Sequence, residues 1–207
     1  NSMGNTRTCT SNVTVQDKVA PNALCKNFAL QLLPNGIGNL ASMDINNGSS
    51  DACGVGTLSL SKSIFNCSNV GVNTVTLNVT DVNSNTSTCT ATVTVQDLIQ
   101  PLAFCKNKTV SLNAAGQGSI VSADINNGST DACGIATLSL SKNSFNCSNA
   151  GLNAVTLTVT DVNNNTSSCT ATVTVEDKIA PAALCHAATL NLDANGHATL
   201  LAVLLNN

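Results

Sequence analysis

Ten cysteines recur at one interval, and that interval organises the rest of the chain. Cys9, Cys89 and Cys169 stand eighty residues apart, as do Cys25, Cys105 and Cys185, then Cys53 and Cys133, then Cys67 and Cys147. Residues 25–104 match 105–184 at about two-thirds of positions, so one unit must fold more than once. A unit of eighty residues suits one small β domain. Asn5-Thr6-Arg7-Thr8-Cys9-Thr10 corresponds to Asn85-Thr86-Ser87-Thr88-Cys89-Thr90, and 191–207 corresponds to 111–127. The expected organisation is the C-terminal part of a preceding repeat over 1–20, complete repeats over 21–100 and 101–180, and the N-terminal part of a following repeat over 181–207. On that expectation the sequence is an excerpt of a longer tandem array, because a unit cut halfway through its strands exposes core and unpaired edges.

Within a repeat, Thr74-Val75-Thr76-Leu77-Asn78-Val79-Thr80 and Cys89-Thr90-Ala91-Thr92-Val93-Thr94-Val95 alternate apolar and polar residues with period two, the mark of strands with one buried face. Thr57-Leu58-Ser59-Leu60-Ser61 alternates likewise, and 26–33 does so more weakly. Segments rich in Asn, Gly, Ser and Asp, such as 46–51, punctuate them. No amphipathic helix is legible. Short strands at this spacing predict an all-β fold, a two-sheet immunoglobulin-like sandwich of about seven strands per repeat. Its expected core is Val75, Leu77, Val79, Val93, Val95, Leu58, Leu60 and Phe65, with Phe145 in the second copy.

The residues Asp97, Pro101, Cys105, Asp131-Ala132-Cys133-Gly134, Phe145, Gly151, Val155 to Asp161 and Cys169 to Val175 fall in the order of a known family. That order resembles the hyalin repeat, and the resemblance covers essentially the whole chain as consecutive copies. It implies an immunoglobulin-like sandwich in secreted or surface proteins, often adhesive and often in long arrays. Repeats rich in Asn and Thr with an Asp-Ala-Cys-Gly signature are similar to those of large bacterial surface proteins. Two departures stand out. The family's Asp-Xaa-Xaa-Gly-Asn turn reads Asp81-Val82-Asn83-Ser84-Asn85 here, without its glycine, and Leu204 stands where Asp44 and Asp124 are placed in the earlier copies.

Four cysteines per repeat permit three connectivities. In an immunoglobulin-like sandwich the first and last strands run parallel from the same pole, which puts Cys25 near Cys89 and Cys105 near Cys169. Cys53 is then expected to pair with Cys67, and Cys133 with Cys147, leaving Cys9 and Cys185 without partners in this sequence. A rival scheme joins Cys9 to Cys25 across the junction. Either implies an oxidising compartment. Zinc is a weak reading, since no Cys-x-x-Cys occurs and the two His, His186 and His197, replace Lys106 and Gln117 of the previous copy.

Nine of the eleven acids fall on four repeat positions: Asp17, Asp97 and Asp177; Asp44 and Asp124; Asp51 and Asp131; Asp81 and Asp161. Acids serving solubility alone would scatter and include Glu, so these have a local task. One such task is the Asx-turn, a short carboxylate capping loop N–H groups. The other is calcium, which takes six to eight hard oxygen ligands; Asp97, Asp124, Asp131 and Asp161 are expected at one end of a domain. The candidate calcium residues are thus Asp17, Asp44, Asp51, Asp81, Asp97, Asp124, Asp131 and Asp161. Asp81 to Asn85 resembles half an EF-hand loop but lacks its Gly and closing Glu.

Composition decides what remains. Only 9% of residues are charged and the net charge is −3, while Asn, Ser and Thr exceed a third of the chain. Eight scattered basic residues give no electrostatic footprint for nucleic acid, and the lack of Trp and Tyr removes stacking platforms for bases or sugars. No apolar run is long enough to span a bilayer, and the first residues have no signal-peptide pattern. Sequons open at Asn12, Asn47, Asn66, Asn78, Asn85, Asn107, Asn127, Asn146, Asn164 and Asn165. Covalent glycans there would supply the solubility that charge does not.

The expected function is a non-catalytic structural array, an extracellular fibre, filament or surface stalk whose main partners are copies of itself. The alternative is an adhesive module binding glycan or protein through its pole loops, against which stands the absence of an aromatic anchor. A flat threonine lattice contacting ice or mineral is a third reading, interrupted by Asn78. Catalysis is not expected, since no HExxH, GxSxG or P-loop pattern occurs and neither His recurs between copies.

Overall fold

The computed structural model describes residues 4, 6–185, 187 and 189–199. Leu204 and His186 lie outside the described residues. Packing groups the chain into two compact units, 1–104 with 128–139 and 158–168, and 105–127 with 140–157 and 169–207.

The first repeat folds as β1 (Phe28–Gln31), β2 (Ile37–Asn39), α1 (Ser42–Ile45), β3 (Val55–Leu60), β4 (Ile64–Asn66), β5 (Gly71–Asp81) and β6 (Thr86–Gln96). The second gives the same series: β7 (Lys108–Ser111), β8 (Gln117–Ser119), α2 (Ser122–Ile125), β9 (Ile135–Leu140), β10 (Ser144–Asn146), β11 (Gly151–Asp161) and β12 (Thr166–Glu176). Each copy has a four-stranded sheet, β1-β6-β5-β3 or β7-β12-β11-β9, and a two-stranded one, β2-β4 or β8-β10. Isolated antiparallel bridges stand outside these sheets, Asn22 with Ser50 and Cys25 with Asn46, repeated as Leu102 with Thr130 and Cys105 with Asn126. The fold is thus an immunoglobulin-like sandwich repeated in tandem.

The alternation read in the sequence builds these sheets directly. β5 and β6 pair antiparallel, with Val75 opposite Ala91 on the buried face and Thr74 opposite Thr92, Thr76 opposite Thr90 on the other. Val75, Leu77, Val79, Val93 and Phe65 have no exposed surface, and Leu30, Leu32, Leu40, Ile45 and Ala91 complete the core. Leu58 and Leu60 are only partly buried, because β3 is the edge strand of its sheet. The Lys62 ammonium lies 4.9 Å above the Phe65 ring, and Lys142 5.0 Å above Phe145, so each anchor ring is buried beneath a cation.

α1 and α2 were not legible in the sequence. Each is a single turn, too short to show a 3.6-residue period, and each forms because an aspartate at its third position reaches back to the residue before it. Ala41 N donates to Asp44 Oδ2 at 2.8 Å and Val121 N to Asp124 Oδ2 at 2.9 Å. Each turn buries one isoleucine, Ile45 or Ile125.

Candidate functional site

β1 pairs parallel with β6, Phe28 opposite Val93, and this brings the residues before β1 beside the middle of β6. Cys25 is bonded to Cys89 with Cα atoms 5.7 Å apart, and Cys105 to Cys169 at 5.8 Å by the same route. Each of these bridges ties the first strand of a sandwich to its last.

The other pairing differs from the expectation. Cys53 is not bonded to Cys67, nor Cys133 to Cys147; instead Cys67 is bonded to Cys133, Cα atoms 5.1 Å apart, joining one repeat to the next. The reason is the length of β5. Val55 in β3 pairs with Asp81 at the far end of β5, whereas Cys67 precedes its start at Gly71. Eleven residues at about 3.3 Å each separate the two ends, far beyond the roughly 7 Å that a disulfide spans. Cys53 and Cys147 are exposed thiols, as are Cys9 and Cys185, so the rival Cys9–Cys25 bridge is also not formed.

Gly36 makes the Cys67–Cys133 contact possible. It has φ +74°, and a Cβ there would lie 3.0 Å from Cys67 Sγ and 3.3 Å from the Ala132 Cβ. On the other side, Asp131 Oδ1 accepts from Cys133 N at 2.7 Å and Gly134 N at 3.1 Å, fixing the loop that presents the sulfur.

The aspartates divide by task. Asp81 Oδ1 accepts from the N–H groups of Asn83 and Asn85, each at 2.8 Å, and Oδ2 accepts from Asn85 Nδ2 at 2.7 Å. Asp161 repeats this with Asn163 and Asn165. These are saturated Asx-turns. Burial pushes the Asp81 carboxyl up, but the hydrogen bonds from Asn85, Asn83 and Ser84 outweigh it and hold the group below the ordinary range. Asp124 is paired with Lys108 at 2.8 Å while capping α2, and Asp44 caps α1 through the Ala41 N–H, so each serves its own turn.

Asp97 is different. It is 5% exposed, Oδ1 accepts from Ile99 N at 3.1 Å, and Oδ2 has no hydrogen-bond partner among the described residues. Burial, then the charges of Asp131 and Asp161, push its carboxyl up despite the Ile99 N–H. Asp97, Asp131 and Cys133 place ligand atoms within 4.8 Å of one another, and Asp17, Asp51 and Cys53 do so in the preceding copy. Cys133 is bonded to Cys67, which removes its sulfur as a ligand. Two carboxylates thus converge where calcium takes six to eight oxygens, so the described side chains supply part of a calcium site only. The Cys53 thiol is pushed up by a hydrogen bond to Asp17 and by that carboxylate's charge, then by burial and by the charges of Asp51 and Asp81.

The sequons divide too. Asn12, Asn47, Asn66, Asn107, Asn127, Asn146 and Asn164 are exposed, whereas Asn78 is half-buried within β5. Asn85 Nδ2 donates to Asp17 O and Asp81 Oδ2, and Asn165 Nδ2 to Asp97 O and Asp161 Oδ2, which occupies the nitrogen a glycan would need.

Sheets and bridges together define the class: an all-β, disulfide-bonded chain of tandem immunoglobulin-like sandwiches. No protein-family model matches it. No curated protein matches it either. Among solved structures, it aligns over 77% of its length with protocadherin gamma B7 extracellular cadherin domains 1-4, at 11% identity and TM-score 0.36, covering 51% of that chain. It aligns over 78% with the whole of human protocadherin-24 EC1-2, at 13% identity and TM-score 0.41. Human mucin-like protocadherin EC1-2 aligns over 76% of this chain and 98% of its own, at 12% and 0.32. The chain spans about half the length of the gamma B7 fragment. No helix among the described residues is long and apolar enough to cross a membrane.

Proposed function

We propose that this chain is a non-catalytic structural module of an extracellular fibre, filament or surface stalk, built from tandem repeats of the hyalin type. The observation that carries this reading is the Cys67–Cys133 bridge, which ties consecutive repeats covalently. A bridge inside a repeat stabilises that repeat alone, whereas one between repeats transmits tension along an array. Three disulfides in a chain of this size point to secretion into an oxidising compartment. The partners of such a module are further copies of itself. Its threonine-covered sheet faces carry almost no charge, and glycans at the exposed sequons would keep them soluble. Calcium enters this reading as an auxiliary ion held in part by Asp97 and Asp131, since the buried Asp97 Oδ2, which has no hydrogen-bond partner among the described residues, favours a cation.

Electron microscopy of material from the natural source tests it. The expected result is an ordered fibre with an axial spacing on the order of 40 Å, one eleven-residue strand plus a junction. Flexible single strands with no order would overturn the fibre. They would shift weight to adhesion, for which the favouring observation is a cleft of about 470 Å³ lined by Pro34, Ile99, Leu102, Thr130 and Ala132 among others.

A further inference from the structure

Four thiols remain unbonded, and two of them, Cys53 and Cys147, are the twins of the two cysteines that join one repeat to the next. Cys147 occupies in the second repeat the position of Cys67 in the first. Cys67 opens a one-turn 3-10 helix whose cap, Asn66, accepts from Ser68 N; Cys147 opens the equivalent turn behind Asn146. The Cys67 sulfur stands 3.8 Å from Gly36 O, and the Cys147 sulfur 3.8 Å from Gly116 O. Gly116 has φ +69°, and a Cβ there would lie 2.6 Å from Cys147 Sγ. The recess that admits a bridging sulfur in the first repeat is therefore built again in the second. Cys53 likewise copies Cys133: Asp51 Oδ1 accepts from Cys53 N at 2.7 Å and Gly54 N at 3.2 Å, as Asp131 does for Cys133 and Gly134. Both sulfurs are exposed where their twins are bonded to each other.

We propose that Cys147 and Cys53 are the two halves of further bridges of the Cys67–Cys133 kind: Cys147 bonds the Cys53-position cysteine of a following copy of this repeat, and Cys53 the Cys67-position cysteine of a preceding copy. The repeats then form a covalent ladder, one rung per junction. This rests on the array reading given above and names the chemistry of its joints. The oxidant is a small-molecule or protein disulfide. The Cys147 thiolate attacks one of its sulfurs, forming a mixed disulfide and releasing one thiol. The Cys53-position thiolate of the next copy then attacks Cys147 Sγ and releases the second thiol. Two protein thiols and one disulfide become one protein disulfide and two thiols, with no electron unaccounted for.

The test is disulfide mapping by mass spectrometry of the protein as made by its natural source, alkylated before and after reduction. The expected result is a Cys147 peptide linked to an Asp-Ala-Cys-Gly peptide other than that of Cys133, which stays linked to Cys67, with alkylation of Cys147 before reduction at least about tenfold below that after it. Migration without reductant separates two sources: a linked species larger than the reduced chain places the following copy in a second molecule, and one of equal mass places it in the same chain; either supports the ladder. Cys147 found freely alkylated, or bonded to Cys9, Cys185 or any other position, overturns it. Ordered fibres whose Cys147 is free would sink the ladder and leave the fibre standing, so the two readings fail separately.

Discussion

Asp81 and Asp97 are both buried, with opposite electrostatic outcomes. Asp81 is surrounded by N–H donors, so its folded-state pKa lies below the unfolded value near 3.9; its stabilisation is present above that value and lost as pH falls through the folded one. Asp97 lacks such donors on Oδ2, and its pKa is raised. Its contribution is complete below about pH 3.9 and lost as pH rises through the raised value. In chelator, Asp97→Asn is therefore expected to raise the melting temperature at pH 7, the gain vanishing in acid, while Asp81→Asn lowers it at pH 7. Millimolar calcium should raise the melting temperature of the parent and leave Asp97→Asn unmoved; equal response of both would remove calcium from this site. Ser84 stands at φ +72°, and Asn164 at +71° in the second copy, a backbone conformation that favours glycine. Ser84→Gly is expected to stabilise by up to about 1 kcal/mol, a melting shift of roughly 4 °C, and Asn164→Gly by less, because asparagine tolerates the left-handed region better. The missing glycine was legible in the sequence; that the turn keeps its left-handed residue was not, because nothing in Asp81 to Asn85 says which residue bears the positive φ.

At the scale of elements, the alternation in β5 and β6 was enough to assign strands, faces and core, since a period of two leaves one arrangement that buries Val75, Leu77 and Val79 together. The one-turn helices and the three-residue strands β2 and β4 carry too few residues to show any period, and so only the folded chain displays them. Phe65, without exposed surface beneath Lys62, is the central anchor. Phe65→Ala is expected to cost about 3–5 kcal/mol, and Leu58→Ala markedly less because β3 is an edge, as chemical denaturation will read. Cys25–Cys89 closes 64 residues, so Cys89→Ser should cost about 4 kcal/mol in the chain-entropy account and lower the melting temperature of its repeat sharply under non-reducing conditions.

The whole molecule is defined by how its bridges overlap. Under tension between Cys25 and Cys169, the Cys25–Cys89 and Cys105–Cys169 bridges carry the force past both sandwiches, leaving only the sixteen residues from Cys89 to Cys105 to extend. In single-molecule pulling of the oxidised chain this stretch is expected to extend to no more than about 55 Å; under reductant the full span extends to about 500 Å, at roughly 3.5 Å per residue. Equal extension in both conditions would contradict these bridges.

From the residues alone came the repeat, the long strands, the core valines of β5 and β6 and the placing of Cys25 beside Cys89, because these follow from periodicity and from the parallel pairing that a sandwich imposes on its first and last strands; Leu30, Leu32, Leu40 and Ile45 came only with the fold. The partner of Cys67 could not come from there. A bridge to Cys53 and a bridge to Cys133 join the same two positions of the repeat, and in a sequence that copies itself those positions look alike in every unit. Tertiary structure separates them: β5 holds Cys53 and Cys67 at opposite ends of one sandwich, while the cysteine of the next copy lies within bonding distance.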